Sequence, residues 1–367
     1  MRWIFLIFLI LSCPLVVLGV VIPKDKAAKI LKAYPEADTD ENGELSFEEL
    51  EKAIPQLPQK FQKPVQAYVK RVRAQQKGSN SSNLAPKASL LNYEYGAHER
   101  QVFDLYLADS ENPTPLVLFI HGGGFKKGDK SKYAKNSLLK QLLDKGISCA
   151  ATNYRFFNQN EAGLLGCMMD SKRALQTIRY HAEKWNIDKD RILLYGGSAG
   201  AGTSMWIGFR DEMANSESED PIERESTRVK GIVATAIQAT YHFERWPEIL
   251  NSKNKPEPQE KNEMYASPAN ALLALNASHS IQRELDHLEW LSSDDPPLYV
   301  VNQQKDSQLD LSNPKHRGPS LHHPLHAKAI ADQAERVGLK DCYIYAPGIQ
   351  LKPHEDIDIL EFILKYI

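Results

Sequence analysis

From residue 91 onward, short apolar runs alternate with longer amphipathic stretches. Leu116 to Ile120 is apolar at every position, as a strand buried on both faces requires. Ile147 to Tyr154, Ile192 to Tyr195, Ile232 to Ile237, Leu298 to Val301 and Cys342 to Tyr345 repeat the pattern. Between them the period becomes helical. Ala174, Leu175, Ile178, Ala182 and Trp185 share one face, while Lys172, Arg173, Arg179 and Lys184 lie off it. This rhythm predicts an α/β domain over 91–367, with a mostly parallel sheet covered by helices on both faces. Pro247, Pro256 and Pro258 interrupt it, so an insertion facing the substrate is predicted at about 240–290.

The first ninety residues read differently. Met1-Arg2 precedes an apolar run from Trp3 to Ile22, the pattern of a signal peptide over 1–19 that directs secretion or periplasmic export. Val17 and Gly19 suit cleavage after Gly19. An uncleaved anchor, or lipidation at Cys13, is the alternative, and each reading exports the chain. Residues 24–58 form an acidic unit, and 59–90 a basic connector ending in Gly78-Ser79-Asn80-Ser81-Ser82-Asn83. No Asp or Glu occurs between Lys52 and Tyr93. The cations within 60–77 suit a solvated helix, with weak contact to an anionic surface as the second reading.

Composition narrows the classes. The 367 residues are 42% hydrophobic and 25% charged, which excludes wholesale disorder and coiled coil. A formal charge of −2 provides no global basic field for nucleic acid. Four cysteines are too few to staple a chain of this length, and Cys149, Cys167 and Cys342 read as buried thiols. Asn80-Ser81-Ser82 and Asn276-Ala277-Ser278 fit the glycosylation pattern of a eukaryotic secretory route.

The acidic unit contains Asp38-Thr39-Asp40-Glu41-Asn42-Gly43-Glu44-Leu45-Ser46-Phe47-Glu48-Glu49. Asp38, Asp40 and Asn42 place side-chain oxygens at loop positions 1, 3 and 5. Gly43 permits the sharp turn, Glu44 offers its carbonyl, Ser46 acts through water, and Glu49 closes the loop in bidentate fashion. Over 24–55 the unit resembles the EF-hand family, which implies one bound Ca²⁺. No second loop appears. Affinity is therefore expected near the weak end, about 10⁻⁴–10⁻³ M, with a structural role.

Two motifs carry the candidate chemistry. Gly196-Gly197-Ser198-Ala199-Gly200 follows the run Ile192 to Tyr195 and precedes a helical segment, giving G-x-S-x-G in the strand–turn–helix context of a nucleophile elbow. His121-Gly122-Gly123-Gly124-Phe125 follows Leu116 to Ile120 and frees backbone amides to meet an oxyanion. It lacks the Lys-Ser/Thr of a phosphate loop. His121 itself reads as a loop-positioning residue.

With these motifs, residues 100–367 resemble the α/β-hydrolase superfamily, close to its hormone-sensitive-lipase and feruloyl-esterase-like carboxylesterases. Asp104-Leu105-Tyr106 and Asn153-Tyr154-Arg155 resemble further strand motifs of that group. The resemblance implies Ser198 as nucleophile and Gly123, Gly124 and Ala199 as oxyanion donors. It puts the acid at Asp306, after Leu298 to Val301, although Asn302 and Gln303 replace the usual His and Gly. Asp310 is the fallback, and Asp294-Asp295 reads as a strand cap. The base falls on His354, between the last strand and the terminal helix. His322, His323 and His326 read as helix-start or rim residues. No organic cofactor is implied, and the substrate class is a small ester or an acylated carbohydrate. A lipase or peptidase on this fold, or a calcium-binding recognition protein with a vestigial hydrolase domain, is the alternative.

Isothermal titration should find one Ca²⁺ site, lost in Glu49→Gln, and Ca²⁺ should leave turnover of a small soluble ester nearly unchanged. A reversible, several-fold loss of turnover on chelation, absent from Glu49→Gln, would contradict this separation.

Overall fold

The computed structural model describes residues 52, 54–56, 85–254, 283–351 and 354–367. The chain divides into two compact units, Met1–Leu84 and Ala85–Ile367. Of the first, only Lys52 and the 3-10 turn Ile54–Gln56 are described. The signal segment, the loop 38–49 and most of the connector lie outside the described residues.

The second unit is built on eight strands: β1 Leu90–Glu94, β2 Val102–Tyr106, β3 Thr114–Ile120, β4 Ser148–Thr152, β5 Ile187–Gly197, β6 Ile232–Thr235, β7 Leu298–Val301 and β8 Cys342–Tyr345. Their order is β1-β2-β4-β3-β5-β6-β7-β8. β1 and β2 run antiparallel to their neighbours, and the rest is parallel. This is the predicted α/β architecture.

Alternation along the strands divides the core. On β3, Leu116, Leu118 and Ile120 join the cluster under helices α2 (Gly163–Tyr180) and α3 (Ala199–Gly208). Val117 and Phe119 face the other way, toward α1 (Ser137–Asp144) and α5 (Ile359–Tyr366). Helix α4 (Pro324–Val337) covers β6, β7 and β8 on the α3 side. All five of these β3 side chains are fully buried, each worth roughly 1.5–3 kcal/mol of transfer free energy. The predicted helical face at 174–185 extends past the helix. α2 ends at Tyr180, and Ala182 and Trp185 pack from a following 3-10 turn. Cys149 and Cys167 are buried free thiols, while Cys342 is only half-buried.

A polar lattice beside β2 fixes the loops above the sheet. The buried Asp104 carboxylate accepts from Lys130 Nζ at 2.6 Å and from Asn92 N at 2.9 Å. Asn153 Oδ1 accepts from Lys130 N at 2.7 Å, and its amide nitrogen donates to Asp129 at 2.7 Å. Arg155 grips Asp170 through two nitrogens at 2.7 and 2.9 Å. These charges are paired and hydrogen-bonded, the condition for tolerating them inside. Lys130→Met removes one partner and leaves Asp104 buried without its cation. Urea unfolding should show a loss of about 3–5 kcal/mol.

Candidate active site

Register places the site. Ile120 pairs with Gly196, and Gly197 with Thr235, so β3, β5 and β6 end almost level. The loops that follow emerge side by side. Ser198 turns the chain at φ 53°, ψ −118°, a left-handed conformation that costs a non-glycine residue about 1–3 kcal/mol. Its amide donates to Thr235 O at 2.8 Å, which holds the turn against β6. At Gly200 a Cβ would meet Ile120 O at 2.0 Å, so only glycine lets α3 start this close to β3. Although Ser198 stands at the N-cap of α3, its side chain makes no capping bond.

The Ser198 hydroxyl instead lies 3.0 Å from His322 Nε2. His322 is half-buried, and burial lowers its pKa from the ordinary 6.5, so the ring is neutral and able to accept the hydroxyl proton. It stands between the short helix Arg317–Leu321 and α4.

The His121-Gly122-Gly123-Gly124 loop lies against the elbow. A Cβ at Gly122 would sit 2.4 Å from Gly197 O and 3.2 Å from Ser198 Cβ. Gly123 and Gly124 adopt φ +124° and +60°. Lys126 N and Lys127 N both donate to Gly123 O, closing the turn. Ala199, the third predicted donor position, opens the ten-residue helix α3, whose N-terminal amides suit developing negative charge.

His121 supports this loop from below. Arg100 Nη2, which can only donate, lies 3.3 Å from His121 Nε2. The ring proton therefore sits on Nδ1, which donates to Gly122 O at 2.8 Å. Burial pushes the ring pKa down to about 4, keeping it neutral. Its role is positional, as the sequence suggested.

The remaining predicted residues are not assembled around Ser198. His354 Nε2 lies 2.8 Å from Ile344 O and 3.1 Å from Ile344 N, and its Nδ1 meets Glu355 O at 2.8 Å. β8 is the last strand of the sheet, and Ile344 points its backbone groups outward, away from β7. His354 reaches this open edge; with its proton on Nδ1 toward Glu355 O, its Nε2 accepts from the otherwise unpaired Ile344 N. The histidine at Ser198 is thus His322, not His354.

Asp306 does stand beyond the end of β7, but its exposed carboxylate lies 3.3 Å from His323 Nε2. His323 caps α4, with Nδ1 accepting from Leu325 N at 3.3 Å. Its other nitrogen therefore carries the proton toward Ser307 O, 3.0 Å away, and Asp306. Among the described residues no carboxylate bonds the second nitrogen of His322. Asp310 is occupied in its own turn, accepting from Ser312 and Asn254. Asp295 accepts from Ser292 N ahead of β7, and burial raises its pKa to about 7.

An open cavity of about 770 Å³ lies between α1 and α5, lined in part by Tyr195, Thr235, Tyr299, Gln303 and Tyr345. Neither Ser198 nor His322 belongs to its lining. Among the described residues no group of His, Cys, Asp and Glu is arranged to hold a metal ion.

A level parallel sheet, a strained serine elbow and a glycine loop packed on it define the α/β-hydrolase fold class. The chain belongs to the BD-FAE family, whose model matches residues 103–316, more than half of its length. That match spans Ser198 and Asp306 and ends before both His322 and His354. The probable carboxylic ester hydrolase LipM of Mycobacterium tuberculosis is 28% identical over 259 residues, 69% of this chain and 52% of that protein. The probable isoprenylcysteine alpha-carbonyl methylesterase ICMEL1 of Arabidopsis thaliana is 37% identical over 109 residues, 29% of this chain and 22% of that one. The chain thus spans about half the length of the first relative and less of the second. In fold it is similar to an acetyl ester-xyloside bifunctional hydrolase from Caldicellulosiruptor lactoaceticus (TM-score 0.51, 22% identity, 73% of this chain and 89% of that one). A truncated carbohydrate esterase from gut microbiota is comparable (TM-score 0.52, 17% identity, 72% and 89%).

Two outcomes follow for the histidines. If neutral His322 is the base, kcat/KM for a p-nitrophenyl ester should hold its plateau to a lower pH than an ordinary imidazole of pKa 6.5 would allow. It should then decline with a single protonation, since only the neutral ring accepts a proton. His322→Ala should lower kcat roughly 10⁴- to 10⁶-fold, while His354→Gln should stay near wild type. The reverse pattern in the two variants would restore His354 as the base.

Proposed function

We propose that this protein hydrolyses carboxylic esters through Ser198 and His322. The observation that carries the reading is the 3.0 Å contact between the two side chains at a strained elbow beside the glycine loop. Ser198 Oγ attacks the ester carbonyl carbon as its proton passes to His322 Nε2. The carbonyl electron pair moves onto oxygen, where the amides of Gly123, Gly124 and Ala199 receive it. Collapse expels the alcohol, which takes the proton back from His322. Water then enters, is deprotonated by the same nitrogen and attacks the acyl carbon; the Ser198 Oγ–acyl bond breaks as Oγ takes the proton back from His322, releasing the acid. No organic or redox cofactor takes part.

The substrates best suited to this reading are short acyl esters, including acetyl or feruloyl groups on carbohydrate. The family match and the ester-hydrolase names of the relatives and fold neighbours support that class. Outside the described residues, the sequence supports export by residues 1–19 and one structural Ca²⁺ on Asp38, Asp40, Asn42, Glu44, Ser46 and Glu49. The cations at 60–77 suit a solvated helix, with weak contact to an anionic surface as the second reading. Among the described residues no helix is long and apolar enough to cross a membrane.

Ser198→Ala should abolish fluorophosphonate labelling and lower p-nitrophenyl acetate hydrolysis by roughly 10⁴- to 10⁶-fold without moving the thermal transition. Near-wild-type turnover in this variant would remove the serine mechanism. Rates on p-nitrophenyl esters of rising chain length, beside acetylated and feruloylated sugars, assign the substrate class.

A further inference from the structure

The backbone around His322 is gripped carbonyl by carbonyl. Gln238 Nε2 donates to Leu321 O at 2.7 Å, and Asn302 Nδ2 donates to His323 O at 3.1 Å. His326 Nδ1 accepts from Ala239 N at 3.3 Å, so its Nε2 proton points to Ser320 O, 3.0 Å away. The Leu321 carbonyl, in the peptide that enters His322, and the His323 carbonyl, in the peptide that leaves the next residue, are therefore both held by buried side-chain amides. A peptide unit is planar, so the held Leu321 carbonyl sets the plane entering His322, and the held His323 carbonyl pins the far end of the two-residue turn, which restricts the direction of the His322 side chain.

The clamp is itself rigidly mounted. Asn302 leaves β7 level with Ala236, which leaves β6, because Thr235 pairs with Val301. Asn302 is fully buried. Its Oδ1 accepts from Ile237 N at 2.6 Å, and Nδ2 donates to Ile237 O at 3.2 Å as well as to His323 O. Flipping the amide would set N–H against N–H, so the network dictates its orientation. Gln238 has its oxygen taken by Tyr241 OH at 3.2 Å. Every polar atom of each amide that faces the loop has a partner. The ring these amides support has, among the described residues, no carboxylate on its second nitrogen.

We propose that Asn302 and Gln238 are positioning residues that orient His322 toward Ser198 through the Leu321 and His323 carbonyls. The proposal rests on the Ser198–His322 reading. An acid bound to the far ring nitrogen is one way to aim an imidazole. Here the aim is set through the main chain. It also assigns a role to the Asn302 position, where the resemblance leads one to expect histidine.

The test uses the full chain, p-nitrophenyl acetate turnover and the rate of labelling by a fluorophosphonate probe. Gln238→Met keeps side-chain length and removes the donor. Asn302→Asp keeps the acceptor for Ile237 N and removes the donor to His323 O. Each should lower kcat about 10- to 100-fold, as expected for a reacting group misplaced by about 1 Å. KM should stay within about twofold, and labelling should slow in parallel. In a His322→Ala background Gln238→Met should add no further loss, because the residue it positions is gone. Equal losses in the two backgrounds would overturn the proposal, as would wild-type kcat in folded Gln238→Met while His322→Ala is inactive. If Asn302→Asp fails to fold, Gln238→Met carries the test alone. Wild-type turnover in His322→Ala by itself would remove the underlying Ser198–His322 reading, an outcome distinct from the others.

Discussion

In the central sheet Gly197, Thr235, Val301 and Tyr345 form one cross-strand row, and Ile120 pairs with the neighbouring Gly196. Each residue after this row leaves the sheet at the same edge. That is why the glycine loop, Ser198, Gln238 and Asn302 meet although they are far apart in sequence. The strands are buried on both faces, so a slip by one residue would exchange the α3 side of the core for the α1 side. Packing of the core therefore enforces the alignment of the site.

Strain at Ser198 follows from the same row. β5 has to stop at Gly197 and α3 has to start at Ala199, leaving a single residue to reverse direction. Close approach at Gly122 brings the glycine loop against Gly197 and Ser198, and close approach at Gly200 sets the start of α3 on the end of β3. The unfavourable φ persists because the amide of Ser198 is tied to Thr235 O and its carbonyl accepts from Gly202 N. The result is a hydroxyl that does not cap its own helix and remains free to face His322.

The sheet was legible in the sequence because its strands are buried on both faces and leave unbroken apolar runs. β7 and β8 match their predicted limits, β3 to β6 differ mainly at their ends, and β1, largely exposed, leaves no apolar run and was not predicted. The elbow and the glycine loop were legible because each motif carries its own backbone requirement. The histidine was not. His322, His323, His326 and His354 all follow Ser198 and Asp306, so chain order cannot choose among them. The choice depends on where the loop after β8 travels, and that depends on β8 being an edge strand with Ile344 in need of partners. Strand order is a property of the assembled sheet. Two adjacent histidines at a helix start on the catalytic edge were the available signal, and reading them as rim residues passed over it. Asp306 was placed correctly beyond β7, but which histidine it would meet depended on that same loop path.

For His322 as the proposed base, the two halves of the task are separated in this arrangement. Burial holds His322 neutral, so it is ready to take a proton, yet the same burial disfavours the imidazolium that results. A carboxylate on the far nitrogen would oppose that penalty and orient the ring at once. Here Asp306 instead lies 3.3 Å from His323, one residue away, and His323 anchors the turn at its far side through Ser307 and the α4 cap. The Asp306 charge reaches His322 only through space and across an exposed position, where solvent screens it. Orientation by the buried amides is insensitive to that screening, because hydrogen bonds between buried groups depend on geometry and not on ionic strength. The site thus invests in direction more than in stabilising the charged base.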